Sequence, residues 1–258
     1  MRQKQYQQPP PRRRRRPRPR RKRPFGLAGF SLSFIFILIV FFGASLFFRV
    51  HVIEVNGAVI SSPTDIRNLS GISDGDFLFY INRRTAVRAI LSDQSYVDTV
   101  DIKIRMPNIV YLNITECISI AYIKNDNDHW IIDRRGKLLE VTRSKPDLPE
   151  IIGLRLLVPL TGTSMEVGVE SEYKVAPLLE LLELLNEREI RAGTISYDTA
   201  LGISFTYLNR FNVIVGLPEL FEHKLDRLPV YIEQLEPNAT GTIELPEEGG
   251  RVGRFVPD

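Results

Sequence analysis

A chain of 258 residues with 43% hydrophobic content is long enough to bury a core, and its single cysteine, Cys117, excludes an internal disulfide. The formal net charge of +3 conceals a split, because twelve of the 34 Lys and Arg residues lie between Arg2 and Arg23 with no acid among them. What remains is 22 cations against 31 acids, a basic tail on an acidic body, so the net value describes neither part.

Residues 1–24, rich in Arg and Pro, form a self-repelling low-complexity segment predicted to be disordered and to stay in the cytoplasm. Its simplest role is to fix topology; a weak contact with anionic lipid or nucleic acid stays open, although no aromatic from Arg12 to Arg23 offers a stacking face. Residues 25–48, FGLAGFSLSFIFILIVFFGASLFF, carry no charge. As a helix they reach about 36 Å, enough to cross a hydrocarbon core of about 30 Å. A cleavable signal peptide is the rival reading, with Gly43-Ala44-Ser45 as its small residues. The apolar run continues through Phe48, beyond the usual length of such a region, which favours an uncleaved anchor. The cations on the N-terminal side orient it as a single-pass type II span with the bulk of the chain outside the cytoplasm.

Beyond the span, Val50, Val52, Ile53 and Val55 predict a strand that ends at Asn56-Gly57. Ser62, Pro63 and Asp65 mark the start of a short helix running through Leu69. Residues 84–91 show helical spacing, and residues 96–105 and 109–116 alternate about Met106-Pro107-Asn108 as a hairpin. Strand, helix, helix, strand, strand describes a small α+β module, residues 49–116, with two helices on one face of a three-stranded sheet. Residues 117–258 read as a second, β-rich module. Two strands flank Arg134-Arg135-Gly136; Val175, Leu178, Leu179, Leu182 and Leu185 form a helix stripe; short strands cover 195–197, 203–207 and 213–215; a second helix covers 221–235; and a strand covers 241–245.

Chemistry is scarce. His51, His129 and His223 stand in no recognisable catalytic frame, Cys117 reads as an apolar filler, and Asn125-Asp126-Asn127-Asp128 reads as a polar turn lacking the glycine and glutamate of a calcium loop. No catalytic residue, metal, cofactor or small-molecule substrate is expected. The run VHVIEVNGAVISSPTDIRNLSGISDGDFLFYIN, with Val52, Val55, Gly57, Ser62, Ile66, Gly71, Ile72, Gly75 and Ile81, and the hairpin ending LNITE, resembles the FtsQ-type POTRA domain. Trp130, Asp133 and Gly136, then Gly216 followed by Lys224, and the terminal GTIELP resemble the β domain of the same FtsQ/DivIB family, with departures at Cys117-Ile118 and Glu244.

The resemblance implies a non-enzymatic scaffold of the division machinery at the septum, which binds bitopic partners of the FtsL and FtsB/DivIC kind by addition of a partner strand to an exposed sheet edge. That edge is expected at Thr242, Ile243, Glu244 and Leu245, with Lys224 on the helix beside it and Phe255 as an anchor, and a proline at Ile243 is the expected way to break it. Competing readings are a membrane-anchored enzyme acting on envelope polymers and an anchored sensor whose tail binds nucleic acid or lipid.

Overall fold

The computed structural model describes residues 25–218, 220–246 and 253–257, with side chains of 25–29 and 44–46 left aside; the basic tail lies outside the described residues. Phe25–Phe47 is one 23-residue helix, α1. Its described side chains are strongly exposed, among them Phe30, Phe36, Ile39, Phe41 and Phe42. Among the fully described residues no helix is long and apolar enough to cross a membrane.

Residues 48–258 form a separate unit, built on two sheets. The first has three strands in the order β1 (Val52–Asn56), β3 (Ile109–Glu116), β2 (Val97–Arg105), with β1 parallel and β2 antiparallel to β3. Ser62 Oγ caps α2 (Pro63–Leu69) by accepting from the Asp65 amide at 3.4 Å, and Asn82 Oδ1 caps α3 (Arg83–Asp93) by accepting from Thr85 at 3.2 Å. Ile66 of α2 and Ala86 and Ile90 of α3 close over Val97, Ile102, Val110, Leu112 and Ile114 of the sheet. The expected helix, strand and hairpin order is the observed one. Gly57 stands at φ +84°, where a Cβ would run into the Ile114 carbonyl oxygen, so the strand exit needs glycine on both counts.

The second sheet has nine strands in the order β12-β11-β10-β9-β8-β7-β4-β5-β6. These are β4 (Ser119–Asn125), β5 (Asp128–Asp133), β6 (Leu138–Thr142), β7 (Glu150–Ile152), β8 (Ala192–Asp198), β9 (Gly202–Tyr207), β10 (Phe211–Gly216), β11 (Gly241–Glu244) and β12 (Arg254–Pro257). Helices α4 (Glu172–Glu187) and α5 (Phe221–Glu233) bury Leu178, Leu181, Leu182 and Leu185, and Phe221, Leu225 and Leu228, in one core with Ile132, Ile195, Phe205, Val213 and Ile243. The Asp126-Asn127 turn joins β4 to β5.

The chain passes from β3 to β4 through Cys117, and side chains lace the two modules together at this crossing. Lys137 Nζ donates to the Val97 carbonyl at 2.8 Å, Arg135 pairs with Asp98 at 2.9 Å, and Tyr96 Oη donates to Glu140 at 2.8 Å. Burial, reinforced by the Glu140 carboxylate, pushes the Tyr96 hydroxyl up to about 12, so it stays a donor. Burial likewise raises the Cys117 thiol to about 11, against the opposing pull of Lys137, leaving it protonated and unreactive at neutral pH.

Glu116, the last residue of β3, gathers the loop after β1: its carboxylate accepts from the amides of Val59 (3.1 Å), Ile60 (3.0 Å) and Ser61 (2.8 Å). Burial works to raise its pKa, but the donors from Ile60, Ser61 and Val59 together outweigh that and hold it below its ordinary value. A depressed carboxylate pKa contributes stability above the unfolded value and loses it as pH falls through the folded one. Glu116→Gln is therefore expected to cost residues 48–258 about 1 kcal/mol at pH 7, kept small by solvent at this half-exposed site. The difference should close below the normal carboxylate range; denaturant unfolding at pH 7 and pH 3 checks it, and equal stabilities at pH 7 would contradict the role.

Candidate functional site

A strand's main chain faces its two neighbours alternately, so a sheet offers unpaired donors and acceptors only along a strand with one neighbour. In the nine-stranded sheet those strands are β12 and β6. The outer side of β6 is engaged at its first residue: Leu138 donates to the Thr163 carbonyl at 2.8 Å, and Gly162 donates to the Leu138 carbonyl at 2.7 Å. In the three-stranded sheet the edges are β1, five residues long, and β2, which carries Asp98, Asp101, Lys103 and Arg105, the charged guard of an edge that resists pairing.

The expected edge at Thr242 to Leu245 is corrected by the position of β12. β11 lies between β10 and β12, with Thr242 opposite Val256, Ile243 opposite Phe255 and Glu244 opposite Arg254. The Gly241 amide donates to Arg210 at 3.2 Å and the Leu245 amide to Ile214 at 3.0 Å, so the odd positions turn their main chain to β10. By alternation, the Ile243 main chain also faces β10, and those of Thr242 and Glu244 face β12. A proline at Ile243 would therefore break the sheet interior rather than an edge. The side chains of Ile243 and Leu245 belong to the core, at 2% and 6% exposure, while Thr242 and Glu244 are half-buried.

On β12 the alternation continues. Arg254 and Val256 turn their main chain to β11, which leaves the Phe255 N–H and C=O facing outward along the free edge. The Phe255 ring is half-buried and packs edge-to-face on Phe211 with centroids 6.3 Å apart, while the Arg210 guanidinium lies 4.6 Å from the Phe211 centroid. Arg254, Val256 and Pro257 are exposed. Tyr231 of α5 accepts from the Gly253 amide at 3.0 Å and thereby holds the start of the strand. Arg210 also bonds the carbonyl of Pro237, fastening the segment before β11.

Lys224 was expected on the surface beside the edge. It is 5% exposed, and its Nζ donates to the Val215 carbonyl at 2.8 Å, next to the irregularity between Ile214 and Gly216. Its amine thus ties α5 to the end of β10, a position-setting task that leaves no charge for a partner to reach. The elements missed in the sequence were β4, β7 and β12; for β12 the available signal was the short alternation Arg254-Phe255-Val256.

No catalytic constellation forms among the described residues. His51 Nδ1 stands 3.8 Å from Asp74, both well exposed. A hollow of about 950 Å³ between the ends of α4 and β8 is lined by Lys145, Asp147, Glu189 and Arg191 among others and contains neither histidine nor cysteine.

Two family models match the chain: POTRA domain, FtsQ-type, over residues 48–116, and cell division protein FtsQ/DivIB, C-terminal, over residues 121–247. Among similar curated proteins, cell division protein DivIB of Clostridium acetobutylicum is 26% identical over 213 residues, covering 80% of this chain and 82% of the relative. DivIB of Clostridium botulinum is 24% identical over 210 residues, covering 80% and 81%. Among solved structures, the major extracytoplasmic domain of DivIB from Geobacillus stearothermophilus matches with a TM-score of 0.30 and 19% identity, over 49% of this chain and 99% of that one.

Gly241 sits at φ +150°, and a Cβ there would run into the Val256 carbonyl oxygen of β12. Gly241→Ala is therefore expected to loosen β12 from β11. In amide hydrogen exchange, Arg254 and Val256 should lose about tenfold or more of their protection while β8 and β9 keep theirs; unchanged protection of Val256 would contradict the close approach.

Proposed function

We propose that this chain, which belongs to the FtsQ/DivIB family of bacterial cell division proteins, is a membrane-anchored, non-enzymatic scaffold of the septal peptidoglycan machinery, with the free edge of β12 as its binding element. The observation that carries the reading is the outward main chain of Phe255 on the edge strand of a nine-stranded sheet, whose opposite edge strand is engaged at Leu138. An extended partner segment laid along β12 would exchange main-chain hydrogen bonds with Phe255, and exposed Arg254 and Val256 would select among partners.

In this reading Thr242 and Glu244 support β12 through their main-chain bonds, Ile243 and Leu245 root β11 in the core, and Lys224 fixes α5, whose Tyr231 steadies the entry to β12. The partners in view are bitopic division proteins of the FtsL and FtsB/DivIC kind. Support for the anchor comes from the uncharged run 25–48, the continuous backbone helix Phe25–Phe47, and apolar side chains exposed on every side of it from residue 30 to 43. The twelve cations before it favour a cytoplasmic N-terminus and a type II span, with both folded modules outside.

The test separates main chain from side chain. Phe255→Pro removes the outward donor, whereas Phe255→Ala keeps the donor and loses only the ring. Co-purification of small bitopic division proteins with the full-length chain is expected to fall to background for the proline variant and only several-fold for the alanine variant. Hydrogen exchange at β8 to β10 serves as the folding control. Wild-type recovery of partners by a folded Phe255→Pro protein would overturn the edge assignment.

A further inference from the structure

The segment between α2 and α3 presents aromatic rings in an arrangement that the partner edge does not use. Leu78 is 1% exposed and pins a short 3₁₀ turn, Leu78–Tyr80, into the core of the first module. Its neighbours point the other way: Phe79 is 61% and Tyr80 85% exposed. Phe48 lies 5.5 Å from Phe79, Phe77 lies 5.4 Å from Phe79, and Phe77 lies 5.3 Å from Tyr80, centroid to centroid.

The cluster is held firmly. Leu78 donates to the Phe48 carbonyl at 3.1 Å, Val50 to Asp76 at 2.8 Å, and Gly75 to Val50 at 2.8 Å, so residues 75–80 are laced to residues 48–50 by main-chain bonds. Arg49 adds a bond to the Gly75 carbonyl at 3.0 Å. Exposed rings on a rigid backbone keep their apolar surface in water permanently, an arrangement that calls for an occupant.

Two observations choose the occupant. Phe48 is joined directly to Phe47, the last residue of the apolar helix α1, so this ring cluster begins where that helix ends. Exposed Arg83 and Arg84 follow the cluster in the first turn of α3, which contains no acid. Of the nearby acids, Asp76 accepts from the Ser73 amide at 2.7 Å, while Asp74 is exposed, 3.8 Å from His51. Aromatic rings with adjacent arginines at the end of an apolar helix suit the headgroup layer of a bilayer, where amphipathic rings and cations are both favoured.

We propose that Phe79 and Tyr80, backed by the half-buried Phe48 ring, form a membrane foot, which inserts into the headgroup layer of the anchoring membrane and holds the first module against its surface. This inference rests on the anchored reading given above, and its test keeps the two apart. Full-length protein is placed in lipid nanodiscs of phosphatidylethanolamine and phosphatidylglycerol, in a Trp130→Phe background that removes the single native tryptophan. Three variants then carry one tryptophan each: Tyr80→Trp as the foot, Phe36→Trp in α1, and Leu201→Trp as a control in the β8 to β9 turn. All three positions are exposed, so the fold tolerates the change.

With lipids brominated high on the acyl chain, the tryptophan at position 80 should lose about half its emission and shift to the blue, while the one at position 201 stays unquenched. Quenching at 36 without quenching at 80 overturns the foot and leaves the anchor standing. Absence of quenching at both positions overturns the anchor and the foot together.

Discussion

The alternation of main-chain bonds along β11 is the constraint on which the site depends. Once Gly241 and Leu245 are committed to Arg210 and Ile214 of β10, Thr242 and Glu244 have only one direction left, and β12 fills it. The sheet then ends at Phe255, a residue whose ring faces the core while its N–H and C=O face outward. At Phe255 a half-buried ring and an outward main chain coincide, and Phe211 and Tyr231 hold the strand from beneath and from its start. The register of this edge is set by packing rather than by the partner.

A similar economy joins the two modules. The link through Cys117 is spanned by polar side chains that reach across: Lys137 to the Val97 carbonyl, Arg135 to Asp98, and Tyr96 to Glu140. Exposed ion pairs alone contribute little. The bond from Lys137 is different, since it satisfies a main-chain carbonyl where β2 meets the second module, and its loss would leave that acceptor without its donor. Cys117 contributes volume there and no reactivity.

The first module was legible almost throughout, because its signals are local: Ser62 with Pro63 at a helix start, Asn56-Gly57 at a strand end, and period-two alternation on both sides of Met106-Pro107. In the second module the helices and β8 to β11 were legible from apolar stripes of ordinary length. β7, with three residues, and β12, with four, are too short for periodicity to register. The edge was misplaced for a deeper reason: whether a strand has one neighbour or two is decided by distant chain, and nothing in Thr242 to Leu245 encodes it. Lys224 misled in the same way, since a lysine reads as surface until a carbonyl such as that of Val215 is found within reach of its amine. The exposure of Phe79 and Tyr80 was equally hidden, for the run Phe77 to Ile81 looks like core in sequence.

On the proposed reading, a short edge and a membrane anchor would explain each other. Each main-chain hydrogen bond adds only about 1 kcal/mol net, so a strand laid along the four residues of β12 yields little after the cost of ordering it. In free solution such an edge would be a weak binder. If the chain and its bitopic partners share one membrane, the encounter is confined to a plane and the effective concentration rises without any new contact. A foot that fixes the first module against the membrane, and cross-links that make the second module follow it, would narrow the heights at which β12 can meet a partner strand. The physical consequence would be a division of labour: the anchor and foot would supply proximity, the Phe255 main chain direction, and Arg254 and Val256 discrimination, so that an edge of modest affinity could be selective and still release its partner.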